Sequence, residues 1–258
     1  MELGSFNLGC FDLSGRVAII TGGNTGLGQA YSVALAHAGA NVFVPSLGED
    51  LSDTAALVAE AGREYAFLSA DLTEPGTPAR IVAACLERFG RIDILINNAG
   101  MCLLDDVEGF DRSKWDPMMA LNVTAAFELS HAVIPTMRAQ RSGKIVNICS
   151  LFSYLGGQWS PAYAASKHAM AGLTKAYCDE LAADGIQVNG LAPGYYATAI
   201  TEATRSNPET NQRVLDHIPA GRWGLPHDLM GPMVFLCSDA SNYVNGQVLV
   251  VDGGYLVR

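Results

Sequence analysis

The stretch from residue 16 to residue 44 limits the possible folds of this chain more than any other part of the sequence. A short β-branched apolar run at residues 16–20 leads directly into a glycine-rich turn, residues 21–28. An alanine- and leucine-rich segment follows, closes before Gly39, and gives way to a second apolar run at residues 41–44. Strand, glycine turn, helix and strand of this length form a βαβ unit. The chain is therefore predicted to be an α/β protein.

The same alternation continues to the end of the chain. Further strands are predicted at residues 65–68, 92–96, 143–149, 186–191 and 247–251, and further helices at about residues 51–61, 78–89, 115–140, 162–181 and 228–236. Seven strands without a linker or repeat indicate one domain over residues 1–258. Residues 195–221 are predicted to be irregular and polar, and their place after a strand suits a lid over a substrate.

Charge and hydropathy exclude several classes of protein. Sixteen basic and 26 acidic residues give a formal net charge of −10, which disfavours binding to nucleic acid. No apolar run approaches the roughly 18 residues of a membrane span. Residues 1–12 lack the features of a secretory signal, so a cytoplasmic protein is expected. The six cysteines and five histidines show no metal-ligand spacing, and neither a metal site nor a disulfide is predicted.

The glycine-rich turn predicts a dinucleotide site. Its spacing is Gly22-x-x-x-Gly26-x-Gly28, preceded by Thr21. Glycines let the backbone turn tightly and approach a pyrophosphate, and the following helix presents free N–H groups and partial positive charge to phosphates. The alternative is a turn with a purely structural role.

The end of the second strand favours NAD over NADP. An NAD site usually carries an acidic side chain there and an NADP site a basic one, whereas this chain has Ser46. No Arg or Lys lies between Arg16 and Arg63, and Glu49 and Asp50 follow closely. A 2′-phosphate would therefore meet negative charge.

Polar residues also follow the third and fourth strands. Asp71 either receives a hydrogen bond from an adenine amine or caps the turn into the next helix. Asn97, Asn98, Ala99 and Gly100 follow the fourth strand, where small side chains leave room for a flat ring. The two asparagines are also suited to tying neighbouring strands together by side-chain hydrogen bonds.

A serine, a tyrosine and a lysine have spacings suited to proton transfer. Tyr163 and Lys167 are four residues apart, so on a helix they share one face. A nearby cation makes a phenol, whose ordinary pKa is about 10, a better base. Ser150 follows a strand, at the edge where open α/β sheets bind ligands. An incidental Tyr and Lys on one helix is the alternative, and Asn122 either satisfies a polar core or holds a water that connects the lysine to solvent.

Together these motifs resemble the short-chain dehydrogenase/reductase family. In chain order they are Thr21-Gly22-x-x-x-Gly26-x-Gly28, Asn97-Asn98-Ala99-Gly100, Asn122, Ser150, Tyr163-x-x-x-Lys167 and Pro193-Gly194. The resemblance implies a Rossmann-type, doubly wound sheet of seven parallel strands with helices on both faces. It also implies a homotetramer or dimer packed through the long helices that carry Asn122 and Tyr163.

The resemblance further implies an NAD-dependent enzyme that interconverts a secondary alcohol and a ketone. Tyr163 would be the general acid/base, Ser150 a hydrogen-bond donor to the same oxygen, and Lys167 the group that holds the nicotinamide ribose and lowers the tyrosine pKa. Asn122 would anchor a relay water. The implied cofactor contacts are Gly22, Asn24, Thr25, Gly26, Leu27, Gly28, Ser46, Asp71, Leu72, Asn98, Ala99, Gly100, Tyr163, Lys167, Pro193, Gly194 and Thr198.

Within the family, residues 25–29, 218–232 and 243–246 are similar to the 2-dehydro-3-deoxy-D-gluconate 5-dehydrogenases. A sugar acid such as 2-dehydro-3-deoxy-D-gluconate is therefore the favoured substrate. Residues 101–106 differ from that group, because they are apolar and acidic where basic residues are frequent. Arg222 is then a candidate partner for a substrate carboxylate. The predicted substrate contacts are Ser150, Phe152, Trp159, Tyr163 and Tyr195.

Two other functions stay open at this point. The aromatic side chains Phe152, Trp159, Tyr195 and Tyr196 equally suit a less polar cyclic or aryl ketone or alcohol. A dinucleotide sensor without catalytic activity is the second alternative. It is disfavoured because all four catalytic positions are filled.

Overall fold

The computed structural model describes residues 7–258 and is built around a sheet of seven strands. The strands are Val17–Ile20 (β1), Asn41–Ser46 (β2), Tyr65–Ser69 (β3), Ile94–Asn97 (β4), Gly143–Ile148 (β5), Ile186–Pro193 (β6) and Val248–Val251 (β7). Their order is β3-β2-β1-β4-β5-β6-β7, and every neighbouring pair is parallel. The strand order reverses between β1 and β4, and ligands bind outside the carboxyl ends of strands at such a point.

Helices cover both faces of the sheet, as predicted. They are Gly26–His37 (α1), Thr54–Glu60 (α2), Thr77–Phe89 (α3), Arg112–Met119 (α4), Ala125–Gln140 (α5), Pro161–Leu181 (α6), Glu202–Ser206 (α7), Pro208–His217 (α8) and Met230–Cys237 (α9). Ala18 and Ile20 of β1 pack in one core with Leu35 of α1, because alternate strand residues face opposite sides. Val17 and Ile19 pack in the other core, which includes residues of α3, α5 and α6.

Two segments differ from the prediction in local structure. Residues 195–221 are not irregular, because they contain α7 and α8. The signal was present in the sequence: Asn207 accepts hydrogen bonds from the N–H groups of Glu209 and Thr210, and Pro208 occupies the first turn of α8. The predicted helix at residues 115–140 is interrupted by a π-helical turn, Ala120–Thr124.

Two predictions, on a secretory signal and on membrane spans, can be compared with the structure only over residues 7–258. Residues 1–6, which belong to the stretch judged not to be a secretory signal, lie outside the described residues. Within residues 7–258, no helix combines the length and the apolar character needed to cross a membrane.

Candidate active site

The glycine-rich turn joins the end of β1 to the start of α1 in a backbone shape that needs glycine. Gly22 and Gly26 have φ values of 62° and 55°, a region that side chains rarely adopt. A Cβ on Gly28 would lie 2.2 Å from the Gly22 carbonyl oxygen, whereas one on Gly26 would meet no protein atom within 4 Å. At Gly28 the turn therefore packs tightly against its own backbone, whereas at Gly26 there is free space for a ligand.

The amino end of α1 is suited to a phosphate. Thr25 occupies the N-cap position but its side chain makes no capping hydrogen bond to the first turn. The free N–H groups of that turn can therefore serve a ligand. Gly26 and Thr198 line the same cavity of about 420 Å³, so two predicted cofactor contacts from distant parts of the chain lie close together.

Asn98 and Thr21 connect the glycine turn to the segment after β4. The Asn98 side-chain N–H donates to the Thr21 carbonyl oxygen at 2.8 Å. The Thr21 hydroxyl accepts hydrogen bonds from the backbone N–H groups of Asn98 and Ala99, both at 2.9 Å. Asn97 donates to the side-chain oxygen of Asn147 on β5 at 2.8 Å. The prediction that these asparagines join neighbouring strands is confirmed.

Ser150 and Lys167 meet at the carboxyl end of β5. The Lys167 Nζ donates to the carbonyl oxygen of Ile148, the last residue of β5, at 2.7 Å. Ser153, which the sequence analysis did not single out, donates to the Lys167 carbonyl oxygen at 2.7 Å and accepts from the Ser150 N–H at 3.3 Å. Its position three residues after Ser150 was the available signal. These bonds fix the start of α6 against β5.

Tyr163 lies between these two groups. The Lys167 Nζ is 5.5 Å from the centre of the Tyr163 ring. Burial raises the pKa of Tyr163 to about 12, although its hydrogen bond with Ser150 acts in the opposite direction. Burial also lowers the pKa of Lys167 to about 8. The structure thus brings serine, phenol and ammonium together, and burial favours the neutral form of the phenol.

Lys167 has donors to spare for a ligand. An ammonium group carries three N–H donors, and within residues 7–258 its only hydrogen bond is to Ile148. Lys167 is only 6% exposed, so these donors face a nearly closed space. Together with the open glycine at residue 26, this arrangement fits a dinucleotide that extends from α1 to Tyr163.

Asn122 lies in the π-helical turn and its amide is used by the protein. The side-chain oxygen accepts from the Met101 N–H at 2.9 Å, and the side-chain nitrogen donates to the Met101 carbonyl and to the Ser166 hydroxyl. One acceptor lone pair is left for a water. The polar-core alternative therefore describes most of this side chain, and the relay water stays a prediction. Single π-helical turns are rare and are frequent at functional sites.

The carboxylates of Asp50 and Asp71, which follow β2 and β3, accept hydrogen bonds from different partners. One oxygen of Asp71 accepts from both the N–H and the hydroxyl of Thr73, so this carboxylate caps the turn after β3. Asp50 accepts from the hydroxyls of Tyr65 at 2.5 Å and Ser52 at 2.7 Å, and from the Asn24 side-chain nitrogen at 3.4 Å. The second carboxylate is thereby attached to the glycine turn.

The remaining predicted cofactor contacts lie at the same edge of the sheet. Ser46 is the last residue of β2, and Pro193 is the last residue of β6. A Cβ on Gly194 would lie 2.7 Å from the Asp252 backbone, which explains the need for glycine there. Leu72 is buried in the core and also borders a groove of about 500 Å³ between residues 73–79 and α5.

The predicted substrate contacts divide into two groups. The ring of Phe152 meets the ring of Tyr163 edge-on, with centres 5.8 Å apart. Trp159 has a positive φ of 64°, and its carbonyl accepts a hydrogen bond from Asp105 of the loop after β4. Tyr195 instead packs against other aromatic rings, those of Trp223 and Tyr255.

Arg222 does not have the free guanidinium that a substrate partner needs. It donates to both carboxylate oxygens of Asp228, at 2.7 and 2.9 Å. This paired contact, with the N–H of Leu225, holds the pKa of Asp228 well below its usual range. The candidate role of Arg222 as a carboxylate partner is therefore wrong for this structure.

Comparison with known proteins agrees with the geometry. The profile of a family described as enoyl-(acyl carrier protein) reductase matches residues 22–256. An Escherichia coli K12 protein described as uncharacterized oxidoreductase YgcW is 64% identical over 257 residues, 100% of this chain and 98% of that protein. The chain belongs to the short-chain dehydrogenase/reductase family. The resemblance inferred from the motifs is confirmed.

Two named dehydrogenases of this family are also similar over nearly the whole chain. A 2-dehydro-3-deoxy-D-gluconate 5-dehydrogenase from Escherichia coli K12 is 45% identical and covers 97% of this chain and 99% of its own length. The crystal structure of a gluconate 5-dehydrogenase from Burkholderia cenocepacia J2315, in complex with NADP and tartrate, has a TM-score of 0.91 and 37% identity, and covers 96% of this chain and 98% of its own.

Membership of the short-chain dehydrogenase/reductase family makes the protein an oxidoreductase of alcohols and ketones that uses a nicotinamide dinucleotide. This excludes the alternative of a sensor without catalytic activity. The open glycine turn and the unused donors of Lys167 are the local features that fit such a cofactor.

Proposed function

We propose that the protein interconverts a secondary hydroxyl group and a ketone on a sugar acid, with 2-dehydro-3-deoxy-D-gluconate as the favoured substrate. The observation that supports the chemistry is the meeting of Tyr163 with the buried residues Ser150 and Lys167 at the carboxyl edge of the sheet. The substrate class is supported by two similar proteins that are named as dehydrogenases of sugar acids.

Tyr163 is the proposed general acid/base. Its phenol exchanges a proton with the reacting oxygen of the substrate, and the Ser150 hydroxyl donates a second hydrogen bond to that oxygen. Both groups are held in place before the reaction, so charge that develops on the oxygen is stabilised without reorganisation. Because burial keeps the phenol neutral, Tyr163 is ready to donate its proton to a ketone.

Lys167 has two proposed tasks. A bound nicotinamide ring supplies the hydride acceptor or donor. The unused N–H donors of Lys167 bind the hydroxyls of the nicotinamide ribose, and its charge lowers the pKa of Tyr163 when a base is needed. With a pKa of about 8, the Lys167 side chain is still mainly an ammonium at neutral pH. The single free lone pair of Asn122 accepts a hydrogen bond from the relay water.

NAD is the favoured cofactor in this proposal, and Asp50 is the reason. The glycine turn is tied to β2 by a hydrogen bond from the Gly22 N–H to the Pro45 carbonyl at 2.9 Å. Asn24 of the same turn donates to Asp50, which places a fixed carboxylate beside the proposed adenosine-ribose site. Hydrogen bonds from Tyr65 and Ser52 outweigh the effect of burial and lower the pKa of Asp50. A 2′-phosphate would be repelled by this charge.

Three further features belong to the same proposal. Residues 195–221, with α7 and α8, act as a lid over the substrate within a single domain.

The working form is a cytoplasmic homotetramer that packs through α5 and α6. On that surface, Phe127 is 41% exposed and stacks with Tyr177 of α6, with ring centres 6.5 Å apart. Exposed aromatic clusters of this kind are typical of interfaces.

The test is a comparison of substrates and cofactors on the purified protein, followed by absorbance of the reduced nicotinamide. The acid 2-dehydro-3-deoxy-D-gluconate and the neutral cyclic alcohol cyclohexanol are each combined with NAD and with NADP. The proposal expects the acid with NAD to give the highest kcat/KM. Faster turnover of cyclohexanol would favour the less polar substrate class instead. The variant Asp50→Asn should improve the relative use of NADP, and an unchanged ratio would remove Asp50 as the reason for NAD preference.

A further inference from the structure

A sugar-acid substrate needs a cation for its carboxylate, and the structure limits the choice. This inference rests on the proposed function. Arg222 is already bound to both oxygens of Asp228, and Lys114 pairs with Asp105 in the loop after β4. Arg205 of α7 pairs with Glu202 and donates to the Thr198 carbonyl. Lys167 is committed to the reacting end of the site.

Arg213 is the exception on this side of the molecule. It lies in the middle of α8 and its side chain is exposed. Within residues 7–258 its guanidinium makes no hydrogen bond or ion pair. The five N–H donors of an arginine form a planar fork that matches a carboxylate. Arg213 can therefore accept a carboxylate without giving up an existing partner.

Arg213 lies near Tyr195, close to the carboxyl end of β6. Tyr195 follows Gly194 directly after β6, the strand next to β5, which carries the catalytic serine at its end. Burial raises the pKa of Tyr195 to about 12, and the nearby charge of Arg213 acts against that increase. Tyr255 also raises this pKa through a hydrogen bond, so the Tyr195 phenol keeps its proton at neutral pH.

Aromatic contacts hold Tyr195 and α8 in fixed positions relative to each other. The Tyr195 ring packs against Trp223 at 5.5 Å and Tyr255 at 5.2 Å between ring centres. Trp223 donates to Asn211 of α8 at 2.7 Å, and His217, one turn after Arg213, packs on Tyr255 at 4.3 Å. The Tyr195 ring and helix α8, which carries Arg213, thus belong to one set of aromatic contacts next to the end of β6.

We propose that Arg213 binds the carboxylate of the sugar-acid substrate. The reacting carbon lies at the other end of the substrate, beside Tyr163. Residues 101–106 of the loop after β4 are apolar and acidic, so in this proposal α8 supplies the positive charge. Charge-assisted contacts of this kind change affinity by about ten- to a hundredfold.

The experiment compares an acid with a neutral analogue of the same carbon skeleton. The acid is 2-dehydro-3-deoxy-D-gluconate, and the neutral analogue is 3-deoxyglucosone, in which an aldehyde replaces the carboxylate. Both are measured with NAD on the full-length wild type, Arg213→Gln and Arg213→Lys. Arg88→Gln, which removes an exposed arginine of α3 paired with Glu64, is the control for a general loss of charge.

Arg213→Gln should lower kcat/KM for the acid by about ten- to a hundredfold, mainly through KM, and should change the neutral analogue by less than about twofold. Arg213→Lys should recover part of the loss, and Arg88→Gln should resemble the wild type. An equal loss on both substrates, or no loss on either, overturns the role of Arg213 while leaving the proposed function intact. A wild type that turns over only the neutral compound overturns the sugar-acid proposal and this inference with it.

Discussion

A buried lysine lies at each end of β5: Lys144 belongs to the strand itself, and Lys167 reaches the other end from α6. A non-glycine residue with a positive φ occurs within eight residues of each lysine along the chain. At the amino end, Lys144 is 3% exposed and Arg141 has a φ of 55°. At the carboxyl end, Lys167 is 6% exposed and Trp159 has a φ of 64°. Burial lowers the pKa of both lysines to about 8.

The difference between the two ends lies in what surrounds each lysine. The Lys144 Nζ donates to the hydroxyl of Ser241 at 3.2 Å and to the side-chain oxygen of Asn242 at 2.9 Å. Lys167 has one carbonyl partner and Tyr163 beside it. Burial and a lowered pKa therefore do not by themselves make a lysine a candidate for catalysis. The unused donors of Lys167 and the neighbouring Tyr163 phenol are what make it the candidate.

Replacing Tyr163 by phenylalanine tests the neighbour that sets the two ends apart. Tyr163→Phe should lower kcat by about a hundredfold to ten-thousandfold, because it removes the general acid/base and leaves the ring. Cofactor binding, measured by fluorescence titration with NADH, should stay near normal. Undiminished turnover in this variant would remove Tyr163 from the proposed mechanism.

Substituting each lysine in turn compares the two ends directly. Lys167→Met should weaken NADH binding by about ten- to a hundredfold, since charge-assisted hydrogen bonds to the ribose are lost. Lys144→Met should leave the dissociation constant unchanged, because its ammonium is used inside the protein. Calorimetric titration of both variants decides the point, and equal losses would mean that the two lysines are not functionally different.

Replacing Arg141 and Trp159 by glycine tests whether the positive φ of each residue matters for activity or only for stability. A left-handed conformation costs a non-glycine residue about 1–2 kcal/mol, so Arg141→Gly should stabilise the protein slightly and leave turnover unchanged. Trp159→Gly should relieve similar strain but lower kcat/KM by roughly tenfold, because it removes a 51% exposed aromatic side chain that is a proposed substrate contact. Thermal unfolding and steady-state kinetics are measured on both. Full activity in Trp159→Gly would argue against a substrate contact.

The last prediction concerns Lys144 at the amino end of β5 and how the free energy of unfolding depends on pH through this group. The pKa of Lys144 is about 8 in the folded protein and about 10.4 in an unfolded chain, so the unfolded chain binds the proton more tightly between these values. The wild type therefore gains stability from this group as the pH rises. Relative to wild type, Lys144→Met should lose about 2 kcal/mol of unfolding free energy between about pH 7.5 and pH 9.5. Urea unfolding of both proteins across this pH range measures the difference, and parallel curves for the two proteins would contradict the prediction.

The sequence predicted well whatever depends on local pattern. The glycine turn, the Tyr163–Lys167 spacing and the position of Ser150 after an apolar run need only a few neighbouring residues, and each lies where it was expected. The hydrogen bonds of Asn97 and Asn98 also followed from their position at a strand end. Short-range periodicity and turn chemistry carry this information.

Features that depend on tertiary contacts were missed. The π-helical turn at Asn122 forms where the amide meets Met101 and Ser166, both distant in sequence. Asp50 gains its place through Tyr65, fifteen residues away. Arg222 was a reasonable carboxylate partner until the structure gave it Asp228. In each case the decisive partner cannot be read from spacing along the chain.

The hydrogen bond between Asn97 and Asn147 fixes the register of β5 against β4, and with it the position of Ser150. These residues are direct register partners on β4 and β5, and Asn147 also donates to Thr174 of α6 at 2.9 Å. A slip of one residue would move Ser150 by about 3.3 Å and turn alternate side chains to the opposite face. Such a slip would break both buried amide contacts. Asn147 lies three residues before Ser150. Its buried hydrogen bonds to Asn97 and Thr174 thus hold the Ser150 hydroxyl beside the Tyr163 phenol of α6.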